Sequence, residues 1–431
     1  MKKQRFTKIT GKQLRRCLLV MLAIYPALVS QGQEWTRFRG PNGQGISHAK
    51  NIPVKWTEKD YNWKIVLAGG GHSSPVLWGN KLFVTGGDQK AGRGIIQAVS
   101  VSNGEVLWQK EYILTAYRMN KLNSYATATP VVDADHVYTL WGTKNETILV
   151  ALDHEGTEIW RRTFGGVHCQ HGPGSTPIVF DHIVVFTQEH EDTDKQAQSI
   201  WIAVDRLTGR TRWQLKRQTS PKTSYSTPCV YSPATDKPQL IFTSLAHGMT
   251  AVDPGTGTVV WELSSAFISR VVSSPVIADG LLIGTCGDAS SGKRLIAIRP
   301  GTSDKSIQPA EAYKIESSSV PYVPTSVARE GLLFTFHDRG YVSCLHSATG
   351  EQLWSEKPAK KFYGSPVWVD GKLYCITTEG EVVVIKAAAT YGLLAINPLG
   401  EKSHATPAIA GERMYLRTYT HLISIGPEMK L

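Results

Sequence analysis

The sequence runs to 431 residues, with 41% hydrophobic and 19% charged residues, 39 glycines and 22 prolines. That hydrophobic share excludes intrinsic disorder as the main state, because disorder needs low hydrophobicity and high net charge. The composition has neither the glycine period of collagen nor the Ala/Glu/Lys/Leu excess of a coiled coil.

The formal charge of +11 points to nucleic acid only until it is located. Lys2, Lys3, Arg5, Lys8, Lys12, Arg15 and Arg16 all fall within residues 1–32, which hold no acidic residue, and removing those seven charges leaves +4. A nucleic-acid role is therefore not expected. The basic stretch feeds an apolar run of 14 residues from Cys17 to Ser30, short of the roughly 20 that span a bilayer as a helix. This is the layout of a signal peptide, residues 1–32, cleaved after Gly32. A retained N-terminal anchor is the alternative. The mature chain is expected to be exported, to the periplasm or beyond, with no transmembrane span.

From residue 33 onward the chain repeats itself, and periods of 40–50 residues signal propellers or solenoids. A small-hydroxyl-proline-apolar tetrad recurs at Pro75, Pro130, Pro177, Pro228, Pro275, Pro366 and Pro407, with Ser326 in the degenerate sixth copy. After each come short alternating runs such as KLFVTGG and GKLYCITTEG, the pattern of strands joined by hairpins. A second signature, A-x-D-x-x-T-G-x-x-x-W, follows in AVDRLTGRTRW (203–213) and AVDPGTGTVVW (251–261), with variants at 98–108, 151–160 and 344–354. There the Asp binds turn backbone, the Gly takes positive φ and the Trp opens the next strand. Trp63, Trp108, Trp160, Trp213, Trp261 and Trp354 are read as anchors docked between neighbouring repeats. Blades five and seven lack this Trp.

Each repeat thus predicts four antiparallel strands, A to D, and the fold is an all-β, eight-bladed β-propeller. Only 24 residues follow Pro407 and none is Trp, whereas Trp63 precedes Pro75 by 12 residues, the same gap as Trp354 to Pro366. The last blade is therefore built from about 404–426 plus a strand around 61–67, which closes the ring and removes its open edges. Residues 33–431 form one domain, expected to be a monomeric propeller. Of the cysteines after residue 32, Cys229, Cys286, Cys344 and Cys375 fall in apolar strands as small hydrophobes. Their odd number, with Cys169, and the lack of CxxC give neither a disulfide framework nor a zinc site.

These motifs resemble the pyrroloquinoline-quinone (PQQ)-like β-propeller repeat family over essentially all of residues 35–426, and WTRFRGPNGQGIS (35–47) is similar to the opening of its exported bacterial members. The resemblance implies two branches: quinoprotein dehydrogenases that oxidise alcohols or sugars with PQQ and calcium, and non-enzymatic scaffolds of outer-membrane protein assembly. The alcohol-oxidising members carry a vicinal disulfide that this sequence lacks, and no haem-binding CxxCH is present.

In this topology the D-to-A connections ring the mouth of the central channel and the B-to-C loops share that face, so binding is sought there. Three residues before each register proline stand His72, Thr127, Gly174, Tyr225, Val272, Val323, Tyr363 and His404, flanked by His171, Arg270, Tyr125 and Tyr322. His72, His171, Tyr225, Arg270, Tyr363 and His404 are the candidate ligand-binding residues. His168-Cys169-Gln170-His171 is part of a zinc set at most. Glu189, Asp192 and Asp194 in the blade-three B-to-C loop are weak calcium ligands without the regular D-x-D-x-D-G run. No catalytic residue and no cofactor is assigned. The expected role is an exported binding or scaffold module for an envelope protein or polymer; the alternative is a PQQ- and calcium-dependent oxidoreductase using the axial pocket. Folds host many functions, and the site decides.

Overall fold

The computed structural model describes residues 35–115, 120, 122–192, 197–288 and 292–427; the basic N-terminal segment and Asp194 lie outside them. The strands form eight sheets of four antiparallel strands, one of which gains a fifth, short strand. The blades are residues 76–113, 131–165, 178–217, 229–263, 276–316, 327–356, 367–398 and 408–425, the last completed by Tyr61–Val66. That strand pairs antiparallel with His421–Ile425, with Trp63 opposite Ser424, and so closes the ring as expected. Ile46–Ser47 runs parallel to Val367–Val369 on the inner edge of blade seven.

The middle strands are apolar on both faces, as in LLIGTC (281–286) and LLFTF (332–336), because every blade is covered on both sides by a neighbour. The core is accordingly divided. Successive clusters each join two adjacent blades, and the largest joins blades one, seven and eight to Trp35, Ile52 and Trp56.

The recurring Trp is the joint between blades. Trp213 donates its indole N–H to the Pro254 carbonyl at 2.9 Å, and Trp63, Trp108, Trp160 and Trp354 make the same bond to the next blade at 2.9–3.1 Å. Its ring lies against the turn glycine of that blade: a Cβ on Gly257, held at φ +72°, would come within 2.6 Å of Trp213. The Trp thus requires the glycine of the T-G pair. Trp261 departs from the rule and donates to Gln239 Oε1 of its own blade at 2.9 Å. In blade five Tyr313 takes the anchor position, pairing with Ala297, and its hydroxyl donates to the Ser347 carbonyl at 2.7 Å. In blade seven the position holds Ala395, and Trp56 from the N-terminal segment fills the core beside it, its backbone N–H bonded to Asn397 Oδ1 at 3.0 Å.

Candidate functional site

The tetrad register decides what each level of the channel presents. All eight residues three before the register proline line one axial cavity of about 260 Å³, together with His171 and Tyr322. The residues one before the proline, every one a serine or threonine, form the level below. Among the described residues seven of the eight backbone N–H groups, all but that of Thr176, donate to the hydroxyl of the next blade: Ser74 to Thr129 at 3.0 Å, Thr129 to Thr176 at 3.1 Å, Thr227 to Ser274 at 3.2 Å and Ser274 to Thr325 at 2.9 Å. Thr325 to Ser365, Ser365 to Thr406 and Thr406 to Ser74 continue it at 3.0, 3.0 and 3.1 Å. A hydroxyl that accepts there keeps its own O–H as a donor. The belt was written in the tetrad, but as a repeat marker its role as acceptor was missed.

Below the belt the channel is plugged, a feature sequence reasoning did not find. The segment 35–47 threads across the axis and bonds to six blades among the described residues. Leu77 and Val132 N–H donate to the Trp35 and Thr36 carbonyls, Arg37 donates to the Pro228 carbonyl at 2.5 Å, and Ile277 N–H to Gln44 Oε1 at 2.9 Å. Arg39 donates to the Ser326 carbonyl at 2.7 Å, and Trp368 N–H to the Gly45 carbonyl. Phe38, between the two arginines, lines the cavity as its floor. The tight turns need glycine: Gly40 and Gly45 lie at φ +67° and +73°, and their Cβ atoms would strike Trp35 and Arg39. The channel is a cup. Burial holds Arg37 at about 10 and Arg39 at about 9, below the ordinary guanidinium range, the direction expected for a charge taken out of water.

The candidate residues fall on two walls. On one, His72 stacks on His404 (centroids 4.3 Å apart, planes at 22°), Tyr363 meets His404 edge-on at 4.8 Å, and Tyr419 faces His72 at 5.4 Å. Behind His72 the buried Arg417 donates to the Thr85 carbonyl at 2.6 Å and the Ser73 carbonyl at 3.0 Å. Burial, then His404 and Arg417, push His72 down to about 3; burial, Lys361 and Lys402 push His404 down to about 4 against a hydrogen bond to the Leu122 backbone. Both imidazoles are neutral at neutral pH. On the other wall His171 meets Tyr225 edge-on at 6.1 Å. Arg270 stands behind them and not on the wall: its guanidinium lies 2.9 Å from His171 Nε2 and donates to Gln170 Oε1 at 3.0 Å and Glu191 Oε1 at 3.2 Å. Tyr125 is likewise buried outside the cavity lining.

The weak calcium set does not come together. Glu189 turns inward between blades three and four, accepts from the Trp201 indole at 2.6 Å, and is pushed up to about 7 by burial. Asp192 faces outward, and Asp194 lies outside the described residues. Among the described residues no three His, Cys, Asp or Glu side chains gather as a metal cluster. His168 faces His190 at 5.9 Å, away from a shared centre with His171.

Comparison with known proteins gives a consistent fold. The described strands superpose on a europium-containing methanol dehydrogenase with TM-score 0.67 and 12% identity, covering 89% of each chain. BamB from Moraxella catarrhalis gives 0.59 and 15%, covering 86% of this chain and 98% of that one. A quinohemoprotein alcohol dehydrogenase from Comamonas testosteroni gives 0.66 and 13%, covering 93% and 81%. At these identities the likeness shows the fold alone. No curated protein matches the sequence. A family model described as outer membrane protein assembly factor BamB matches residues 92–321 and 338–425. The chain belongs to that family of PQQ-like repeat propellers.

Proposed function

We propose that this chain is an exported binding or scaffold module. Residues 1–32 act as its signal peptide, and the mature propeller takes a protein or polymer of the cell envelope on its loop-bearing face, at the mouth of the axial cup. The observation that carries this reading is the cup: plugged beneath, it offers hydroxyls, two stacked neutral imidazoles and three tyrosines, with no carboxylate in its lining among the described residues. Among the described residues no helix is long and apolar enough to cross a membrane.

A quinone with a bound calcium does not fit this donor set. Calcium takes six to eight oxygen ligands, usually with carboxylates among them, and among the described residues the cup wall provides no carboxylate. Quinone-dependent oxidation also needs a base to take the alcohol proton; burial holds the two stacked imidazoles at about 3 and about 4, too weakly basic for that task, and among the described residues no carboxylate lines the cup to raise them.

The test places a photo-crosslinking residue at Leu122, which is 45% exposed on the rim, in cells producing the full chain. A discrete envelope adduct is expected, lost in the His72→Ala, His404→Ala variant while the thermal midpoint stays within a few degrees. Saturable one-to-one quenching of tryptophan fluorescence by PQQ with calcium, accompanied by dye-linked oxidation of an alcohol or sugar, would overturn the reading.

A further inference from the structure

We infer that the cup continues into a radial groove between blades seven and eight, where Lys361 and Lys402 bind the carboxylates of an acidic oligosaccharide. The inference rests on the binding-module reading and names the chemistry of its ligand. A second cavity, of about 590 Å³, shares His72, Leu122, Asn123, Tyr363 and His404 with the cup. The two spaces therefore form one surface leading from the axis outward. Its outer part is walled by Lys361, Lys402, Thr378, Glu379, Glu401 and Tyr419.

Charge in this groove is asymmetric in availability. Lys361 and Lys402 are exposed, and among the described residues neither has a carboxylate within ion-pair distance. Lys361 Nζ lies 5.3 Å from the Tyr363 ring centroid, at the junction of groove and cup. Glu401 is already occupied: its oxygens accept from Thr420 Oγ1 at 2.8 Å, Thr420 N–H at 3.1 Å and Thr418 Oγ1, and lie 3.0 Å from His421 Nδ1. Glu379 alone stands exposed and opposes an anion. Behind the junction Arg417 adds a third cation, and Nδ1 of His72 is buried with no hydrogen-bond partner among the described residues. A ligand carboxylate thus meets lysine heads beside a neutral imidazole in a site shielded from solvent on one side, where a charge pair is screened less than on an open surface.

The walls point to a sugar rather than a peptide. Tyr363, Tyr419 and the His72–His404 stack present ring faces and edges at the junction, and the belt below offers hydroxyl donors. A pyranose has an apolar face for the first and a hydroxyl edge for the second; a uronate adds the carboxylate.

The experiment is calorimetric titration of the full exported chain with a galacturonate trimer, a neutral galactose trimer and a triglutamate peptide. One-to-one binding of the uronate, at least tenfold tighter than either other probe, is expected. Lys361→Gln with Lys402→Gln should weaken it tenfold or more without moving the thermal midpoint, and Glu379→Gln should tighten it severalfold. Equal binding of the neutral trimer, equal binding of triglutamate, indifference to the lysine pair, or no uronate binding at millimolar concentration would each overturn the inference. If the crosslinked partner survives the lysine pair but is lost with His72→Ala, His404→Ala, this inference fails while the binding-module reading stands.

Discussion

Two imidazoles stacked 4.3 Å apart beside a buried guanidinium are costly to charge. In the unfolded chain each titrates near 6.5, whereas in the fold His72 is held at about 3 and His404 at about 4. Between those values the unfolded state carries a proton that the native state does not, so stability rises with pH and is lost as pH falls below about 6.5. Each histidine contributes a slope of at most about 1.4 kcal/mol per pH unit. His171, His247 and His337 are lowered by burial too, so the wild-type curve is steep. The expected outcome is that His72→Gln with His404→Gln flattens it between pH 6.5 and 4.5, read as urea midpoints followed by tryptophan fluorescence. Parallel curves for variant and wild type would contradict the burial argument. Glu401, held at about 2 by its hydrogen bonds to Thr418, Thr420 and His421, loses its contribution only below about pH 4.5, whereas Glu189, pushed up to about 7 by burial, adds a slope of opposite sign inside the window, so the readout is the difference between variant and wild type, in which Glu189 cancels. Both histidines were legible from their place in the repeat. Arg417 was not: it ends the strand RMYLR (413–417), where a strand-terminal arginine reads as an ordinary solvent-facing one.

At the scale of elements, the tetrad makes two structures at once, a strand start and one link of the axial belt. Thr129 accepts the buried Ser74 N–H at 3.0 Å, so Thr129→Val leaves that donor unsatisfied and should cost roughly 1–3 kcal/mol. Thr227 provides a control, because its neighbour Thr176 makes no such bond to it among the described residues, while its own N–H still reaches Ser274. Thr227→Val should cost clearly less, and denaturant midpoints of the two variants decide the matter; equal losses would mean the belt bonds carry no net stability. The blade count, strand order and six Trp anchors were readable because spacing preserves them. Tyr313 and Trp56 were not. The blade-five turn is lengthened through 300–309, which moves Tyr313 out of the signature's spacing although it keeps the pairing with Ala297. Trp56 comes from outside the repeats altogether.

For the whole molecule, the decisive property is that the ring is shut by non-covalent contacts between the two ends of the chain. The closing strand was visible from a missing Trp and a spare one. The plug was not, since a glycine-rich stretch reads as a loop until its partners on six blades are known. Trp63 and Trp213 separate the two consequences of an anchor. They are 8% and 7% exposed, donate at 3.1 and 2.9 Å to the equivalent carbonyl of the next blade, and cover glycines whose Cβ would approach within 2.8 and 2.6 Å. Either truncation to Ala should cost roughly 3–5 kcal/mol as a buried large-to-small change. The Trp213 strand, however, is joined by the chain to the rest of its own blade, whereas Tyr61–Val66 belongs to blade eight only through non-covalent contacts, chiefly its ladder with His421–Ile425. Local opening there parts the closing strand from blade eight while residues 35–47 stay bonded to six blades and the other seven blades stay folded, and such sub-global opening lies well below the global free energy. Trp63→Ala should therefore expose the closing strand and its flanks, about residues 57–67, to limited proteolysis at temperatures where the rest of the ring stays intact. Trp213→Ala should lower the thermal midpoint with no early cut. Identical digestion of the two variants would mean that the ring opens as readily within a continuous blade as at its seam.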